Sequence, residues 1–251
     1  MKYPGRLIKK GEKDKTIVKA LQQALKDLGI NVGAIDGDFG NATKSAVQYF
    51  QSTNVDETGN PLVADGVVGA ITWRVLFGKK TVPDNVKPEG KLMKKVLEIA
   101  RSQIGKMEKP LGSNAGKEVE MYLASTGLGK GYAWCMAFVY WVFNEAAKEL
   151  NMTNPLVKTA GCLNQWNNTK CKKIKKADAI ANPALITPGA VFIMDFGKGL
   201  GHTGIVVSVN GGFITTIEGN TNTGGSRTGI GVFELSHRKI NTINKGFIIA
   251  E

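Results

Sequence analysis

Histidine and cysteine are scarce in this chain, with two of the former and three of the latter among 251 residues. An odd number of cysteines argues against a disulfide framework. Cys162 and Cys171 could pair in principle, but no CxxC or Cys/His spacing supports a metal site, and both read as ordinary thiols. Long apolar runs are also missing. None approaches the ~18 residues that a membrane-spanning helix needs, and Met1-Lys2-Tyr3-Pro4-Gly5-Arg6 lacks the apolar core of a secretory signal. The expectation is a protein made and kept soluble in the cytoplasm unless other machinery exports or releases it.

The net charge is +12, and it is spread unevenly. Through Gly78 there are 10 Lys and Arg against 8 Asp and Glu, whereas from residue 91 onward there are 20 against 11. A basic second part is drawn to polyanions, among them nucleic acid, lipid headgroups and phosphate-rich envelope polymers; charge alone does not choose. The run Lys170-Cys171-Lys172-Lys173-Ile174-Lys175-Lys176 reads as a solvated loop that could add to this attraction.

The first part holds an internal repeat. Asp36-Gly37-Asp38-Phe39-Gly40-Asn41-Ala42-Thr43 recurs 29 residues later as Asp65-Gly66-Val67-Val68-Gly69-Ala70-Ile71-Thr72. In each copy Asp-Gly makes a tight turn and the following residues open a helix. Ahead of them Ile17, Val18, Leu21, Ala24, Leu25 and Leu28 form one helical stripe, stopped by Gly29. Over residues 5–78 this arrangement resembles the small three-helix peptidoglycan-binding domain of bacterial cell-wall hydrolases. The resemblance implies that a groove between the repeated turns holds the glycan or its stem peptide, which implicates Asp36, Phe39, Asp65 and Trp73. Residues 79–90, with two prolines and little periodicity, read as a semi-extended linker between a domain at 1–78 and a second at 91–251.

In the second part, Ala133-Trp134-Cys135-Met136-Ala137-Phe138-Val139-Tyr140-Trp141-Val142-Phe143 places a cysteine at the head of an apolar helix, because Gly129, Lys130 and Gly131 cannot easily continue it backwards. Free N–H groups and the helix dipole favour a thiolate there, the form that attacks carbonyls. A base is needed as well. His202, in Gly201-His202-Thr203-Gly204-Ile205-Val206-Val207-Ser208-Val209, starts a strand that runs into the turn Asn210-Gly211-Gly212 and returns as Phe213-Ile214-Thr215-Thr216-Ile217-Glu218-Gly219-Asn220. A three-residue loop would pair Val209 with Phe213, set His202 opposite Asn220, and put His202, Glu218 and Asn220 on one face. A two-residue loop would break that agreement. The other histidine, His237, lies in the polar run Ser236-His237-Arg238-Lys239, which reads as a solvated loop. Helices expected over 91–104, 118–123 and from Cys135, with a short one after Thr159, precede strands at 190–196, 202–209, 213–220, 230–235 and 246–250. Helices followed by antiparallel strands predict an α+β domain.

Trp134-Cys135, Gly201-His202-Thr203-Gly204 and Ile217-Glu218-Gly219-Asn220, in that order, make residues 91–251 resemble a CHAP domain, the cysteine, histidine-dependent amidohydrolase/peptidase module with a papain-like fold related to the NlpC-type hydrolases. The resemblance implies Cys135 as nucleophile, His202 as general base and acid, Glu218 as the residue orienting the imidazole, and Asn220 as a neighbour that orients the ring or helps hold the oxyanion. Trp134, beside the nucleophile, is counted with the substrate-binding residues. Calcium-dependent members carry an Asp-rich loop before the nucleophile; residues 108–134 contain no aspartate, so no metal or other cofactor is expected. The implied partner is bacterial peptidoglycan, with no specific nucleic acid, and the implied state is a monomer. The implied product is a lytic wall hydrolase, most simply a phage endolysin, made in the host cytoplasm and acting on the wall after release. A delivered antibacterial effector would share the chemistry; a non-catalytic wall-binding or phage structural protein is the competing class.

Overall fold

A computed structural model describes residues 1–225 and 229–250, and the chain divides into two compact units, 1–83 with 180–183 and 84–179 with 184–251.

The first unit is built on helices α1 (Lys15–Asp27), α2 (Asn41–Thr53) and α3 (Ala70–Phe77). Asp14 caps α1 by accepting the Thr16 and Ile17 N–H groups, which otherwise have no intrahelical partner. The buried face of α1, Ile17, Val18, Leu21 and Leu25, meets Phe39, Val47, Phe50 and Trp73 in one core; Leu28 falls beyond the helix and is exposed. The repeat extends further than the motif itself. Gln22 and Gln51, also 29 residues apart, are both buried and tie each turn to the preceding helix in the same way. Gln22 Nε2 donates to Asp36 Oδ1 (2.9 Å), the Asp38 carbonyl (3.2 Å) and Thr43 Oγ1 (3.1 Å), and Gln22 Oε1 accepts the Gly37 N–H (2.9 Å). Gln51 repeats this with Asp65 (3.2 Å), the Val67 carbonyl (2.9 Å), Thr72 (3.3 Å) and the Gly66 N–H (2.8 Å). A buried amide whose donor and acceptor ends are both satisfied fixes each turn.

The second unit is organised by α6 (Cys135–Glu149). Met136, Phe138, Val139, Val142, Phe143 and Ala146 are all buried, so the helix is apolar nearly all round and has to sit inside. Helices α4 (Gly90–Ser102) and α5 (Lys117–Ser125) pack on it, as do two central strands of the sheet. Each fully buried large side chain of this kind contributes about 1.5–3 kcal/mol by leaving water. Among the described residues the strands are β1 (Asp84–Asn85), β2 (Lys172–Lys175), β3 (Val191–Gly197), β4 (Leu200–Asn210), β5 (Phe213–Thr221), β6 (Gly231–Lys239) and β7 (Gly246–Ile249). They form one antiparallel sheet in the order β2-β7-β3-β4-β5-β6, with β1 paired to the end of β4 through Asp84↔Asn210 and Asn85↔Val209. A short helix α7 (Cys162–Asn168) lies against β3 and β4.

Three expectations need correction. The stretch read as a linker includes β1, which is hydrogen-bonded into the sheet. The middle of the lysine run, 172–175, is the edge strand β2, whose alternation is hidden because Lys172, Lys173 and Lys175 all face water while Ile174 alone is buried; lysines on an edge discourage pairing with another chain. The run Ser236-His237-Arg238-Lys239 is the end of β6 rather than a loop.

Candidate active site

The hairpin β4–β5 places the imidazole and the carboxylate. Its loop has two residues, Gly211 and Gly212, both at positive φ (56° and 100°), and Asn210 pairs with Phe213, one step away from the expected register. A β-bulge at Val207 then absorbs one extra residue of β4, and from Val206↔Thr216 and Ile205↔Ile217 onward the pairing is the one that a three-residue loop would have given. The two shifts cancel before the site. His202 and Glu218 therefore share a face, with Nε2 and Oε2 2.7 Å apart.

Cys135 is the first residue of α6, preceded by Trp134 in a non-helical conformation, so the first N–H groups of the helix have no intrahelical partner. Its side chain is buried, 5% exposed, and it acts directly on His202. Glu218 is saturated: Oε1 accepts from Thr216 Oγ1 (2.6 Å) and Arg238 Nε (2.9 Å), and Oε2 from Arg238 Nη2 (2.8 Å) and His202. Because the carboxylate only accepts here, Nε2 carries a proton, which leaves the buried Nδ1 to the Cys135 thiol. The Cys135 Sγ is 3.7 Å from the Cys162 Sγ. The Cys135 thiol is held well below its ordinary range, first by hydrogen bonding from Cys162, against burial, and then by His202 and the Met136 N–H. Cys162 is pushed well above its ordinary range by the same contact and by burial. Burial acts to lower the His202 value, but hydrogen bonds and charge from Cys135 and Glu218 outweigh it and raise the imidazole to about 9. Together these shifts describe a thiolate beside an imidazolium.

Two glycines of the motifs make room for this. A Cβ on Gly204 would lie 2.6 Å from Glu218 Cγ and 2.9 Å from Phe192 Cε1; one on Gly219 would lie 2.7 Å from the Trp134 ring and 2.8 Å from Phe138. Trp134 is fully buried (0% exposed), so its assignment to substrate contact is corrected: its indole N–H donates to Glu108 Oε1 (2.8 Å), and the ring holds the head of α6 against β5. Glu108 Oε2 accepts the Asn114 N–H (3.1 Å), and Asn220, buried and at φ 54°, donates from Nδ2 to Asn114 Oδ1 (2.9 Å). Asn220 thus ties the end of β5 to the loop that also anchors Trp134.

In the first unit, Phe39 (1% exposed) and Trp73 (0%) belong to the core, so neither ring can be touched by a polymer; a domain this small needs its aromatics inside. Asp36 and Asp65 stand at exposed turns, each with Oδ1 engaged by a glutamine and by the N–H two residues on. His237 is exposed on β6 and stacks edge-on to Phe213, 6.3 Å between rings. Sequence reasoning missed Arg238, Cys162, Thr216 and Glu108. The one signal available was Glu218 itself, since a carboxylate in an apolar strand requires a cation and further donors nearby.

The second unit, with its cysteine helix packed on an antiparallel sheet that carries histidine and glutamate, has a papain-like α+β architecture. Residues 127–220 match the CHAP domain, and residues 14–76 match the putative peptidoglycan binding domain. The chain therefore has the make-up of a modular peptidoglycan hydrolase, a wall-binding domain followed by a CHAP domain, the latter indicating a cysteine-dependent amidase or peptidase acting on peptidoglycan. Cys135, His202, Glu218 and Asn220 all fall within the CHAP match. Comparison with solved structures finds no match.

Proposed function

We propose that Cys135, His202 and Glu218 cleave an amide bond of peptidoglycan through a thioester, and that the protein serves as a lytic enzyme of the endolysin type, anchored to the wall by its first domain. The observation that carries this reading is the 2.7 Å His202–Glu218 contact behind a thiol at a helix start. The Cys135 thiolate attacks the carbonyl, and backbone N–H groups at the start of α6 receive the oxyanion, a contribution of about 2.7–4 kcal/mol per donor in comparable sites. The His202 imidazolium gives its proton to the leaving amine. In its neutral form it then takes a proton from the water that hydrolyses the thioester. Glu218, fixed by Arg238 and Thr216, keeps Nε2 protonated and Nδ1 aimed at the chemistry. A tethered wall binder raises the local concentration of the polymer around the hydrolase.

Turbidity clearing of purified cell walls tests this: the wild-type protein clears them, and Cys135→Ala and His202→Ala do not. Clearing by Cys135→Ala at the wild-type rate would remove the nucleophile from the mechanism. Mass spectrometry of released fragments assigns the bond, a new amine on L-alanine meaning amidase and one on a D-amino acid or bridge residue meaning endopeptidase.

A further inference from the structure

The buried thiol of Cys162 has no place in the acyl-transfer steps, yet it is the nearest sulfur to the nucleophile. We propose that Cys135 and Cys162 form a redox-active dithiol, a site of reversible disulfide formation that takes a peroxide as oxidant and a dithiol as reductant. The two Sγ atoms are 3.7 Å apart, and a disulfide requires ~2.05 Å. The sulfurs must therefore approach by about 1.7 Å, a movement on the scale of side-chain rotation rather than refolding. Cys162 opens the short helix α7 directly after Gly161 and lies against Gly201, where a Cβ would come within 3.0 Å of the Cys162 Cβ. The strand that presents His202 thus leaves open the space in which Cys162 sits. The third cysteine, Cys171, is directed elsewhere, its thiol donating to the Pro155 carbonyl at 3.4 Å.

The two thiols are unequal, which sets the order of events. Cys135, the one held as thiolate, attacks the peroxide oxygen: an S–O bond forms, the O–O bond breaks, and the departing hydroxide takes the His202 proton and leaves as water. Sulfur loses two electrons and the peroxide gains them. Cys162, held as S–H, then attacks the Cys135 sulfenic acid; the S–S bond forms, the S–O bond breaks, and the hydroxyl leaves with the Cys162 proton as a second water. A dithiol reductant reverses this by exchange and is itself oxidised to a cyclic disulfide. Without Cys162 the sulfenic acid has no neighbouring thiol to capture it and proceeds to sulfinic and sulfonic acids, which thiols do not reduce. The bond-forming step stands on the sulfurs alone; its effect on wall cleavage rests on the hydrolase reading above.

The test treats the full-length protein with hydrogen peroxide, maps peptides by mass spectrometry without reduction, and measures clearing before oxidation, after it, and after dithiothreitol. The wild type should yield the Cys135 peptide linked to the Cys162 peptide, lose clearing, and regain it on reduction. Cys162→Ser, compared with its own reduced sample, should give no link, accumulate sulfinic and sulfonic acid at Cys135, and regain nothing. Linkage of Cys135 or Cys162 to Cys171 instead, over-oxidation of Cys135 in the wild type without any link, or equal recovery in Cys162→Ser would overturn the proposal. Should the reduced protein fail to clear walls at all, the peptide map still decides whether the disulfide forms, so failure of the hydrolase reading and failure of the dithiol are told apart.

Discussion

Replacing Arg238 by methionine probes how much of the site depends on a residue that never approaches the substrate bond. Arg238 supplies two of the four hydrogen bonds to Glu218, at 2.9 and 2.8 Å, to a carboxylate with no solvent exposure. Removing one partner of a buried pair costs about 3–5 kcal/mol, because the other charge is left without compensation. The guanidinium is 15% exposed and stacks over Phe192 at 5.4 Å, so methionine keeps part of the packing and water reaches part of the vacated space. Both effects favour the lower end, about 3 kcal/mol, or roughly a hundredfold in the folded-to-unfolded ratio. Domains are stable by about 5–15 kcal/mol, so the variant still folds. Three of the four tryptophans, Trp134, Trp141 and Trp166, lie in the second unit, so fluorescence during urea unfolding reads chiefly that unit. The midpoint should fall and wall clearing should drop at least tenfold, since an unclamped carboxylate no longer holds the ring in one orientation. Lysine, which keeps the charge but not the planar two-pronged donor, should recover part of the stability and less of the rate. An Arg238→Met protein with wild-type midpoint and wild-type clearing would refute the idea that the carboxylate needs its second cation.

Other perturbations have signs that the structure fixes. Activity should hold between the depressed value of Cys135 and the raised value of His202, falling as pH rises through about 9 because the imidazolium then loses the proton owed to the leaving amine; initial clearing rates that keep climbing above that pH would contradict it. Gly219→Ala should cost about 1–3 kcal/mol by overpacking against Trp134 and Phe138, measured as a lower urea midpoint of the second unit, with the first unit unaffected. Gln51→Leu strips the second repeated turn of all four of its glutamine bonds and leaves the buried Gly66 N–H without its partner, at a cost of about 1–3 kcal/mol. It should weaken pelleting with purified walls while leaving unchanged the cleavage of a small soluble muropeptide, and unaltered wall binding would show that the turn does not need its anchor.

The helix stripes were legible because burial imposes a period on sequence, and Ile17, Val18, Leu21 and Leu25 or Phe138, Val142 and Ala146 show it plainly. The place of Cys135 at the head of α6 was legible as well, since glycines ahead of an apolar run can only end the helix. What failed did so for local reasons. The hairpin loop was read one residue too long because the bulge at Val207 carries no compositional mark in a valine-rich strand, and it is that bulge which lets His202 still meet Glu218. Arg238 was hidden because β6 shifts register against β5 and passes through His237 at φ 61°, so its polar end shows no alternation. Cys162 was taken as an ordinary thiol because its neighbour is set by how α7 docks, 27 residues from Cys135, and no pattern of residue types encodes that distance. Phe39 and Trp73 were placed at a ligand surface by likeness to a family groove, where the need of a small domain for aromatic core outweighed it.

The Val207 bulge also sets a parity rule for anyone redesigning this hairpin. One residue added to β4 between His202 and Val206, beyond both the loop and the bulge, inverts every side chain from the change to the site, and would turn His202 away from its carboxylate. Removal of Val207 itself leaves Val206 opposite Thr216 and Ser208 opposite Thr215, so that deletion should straighten the strand and keep wall clearing, whereas the insertion beyond it should abolish clearing.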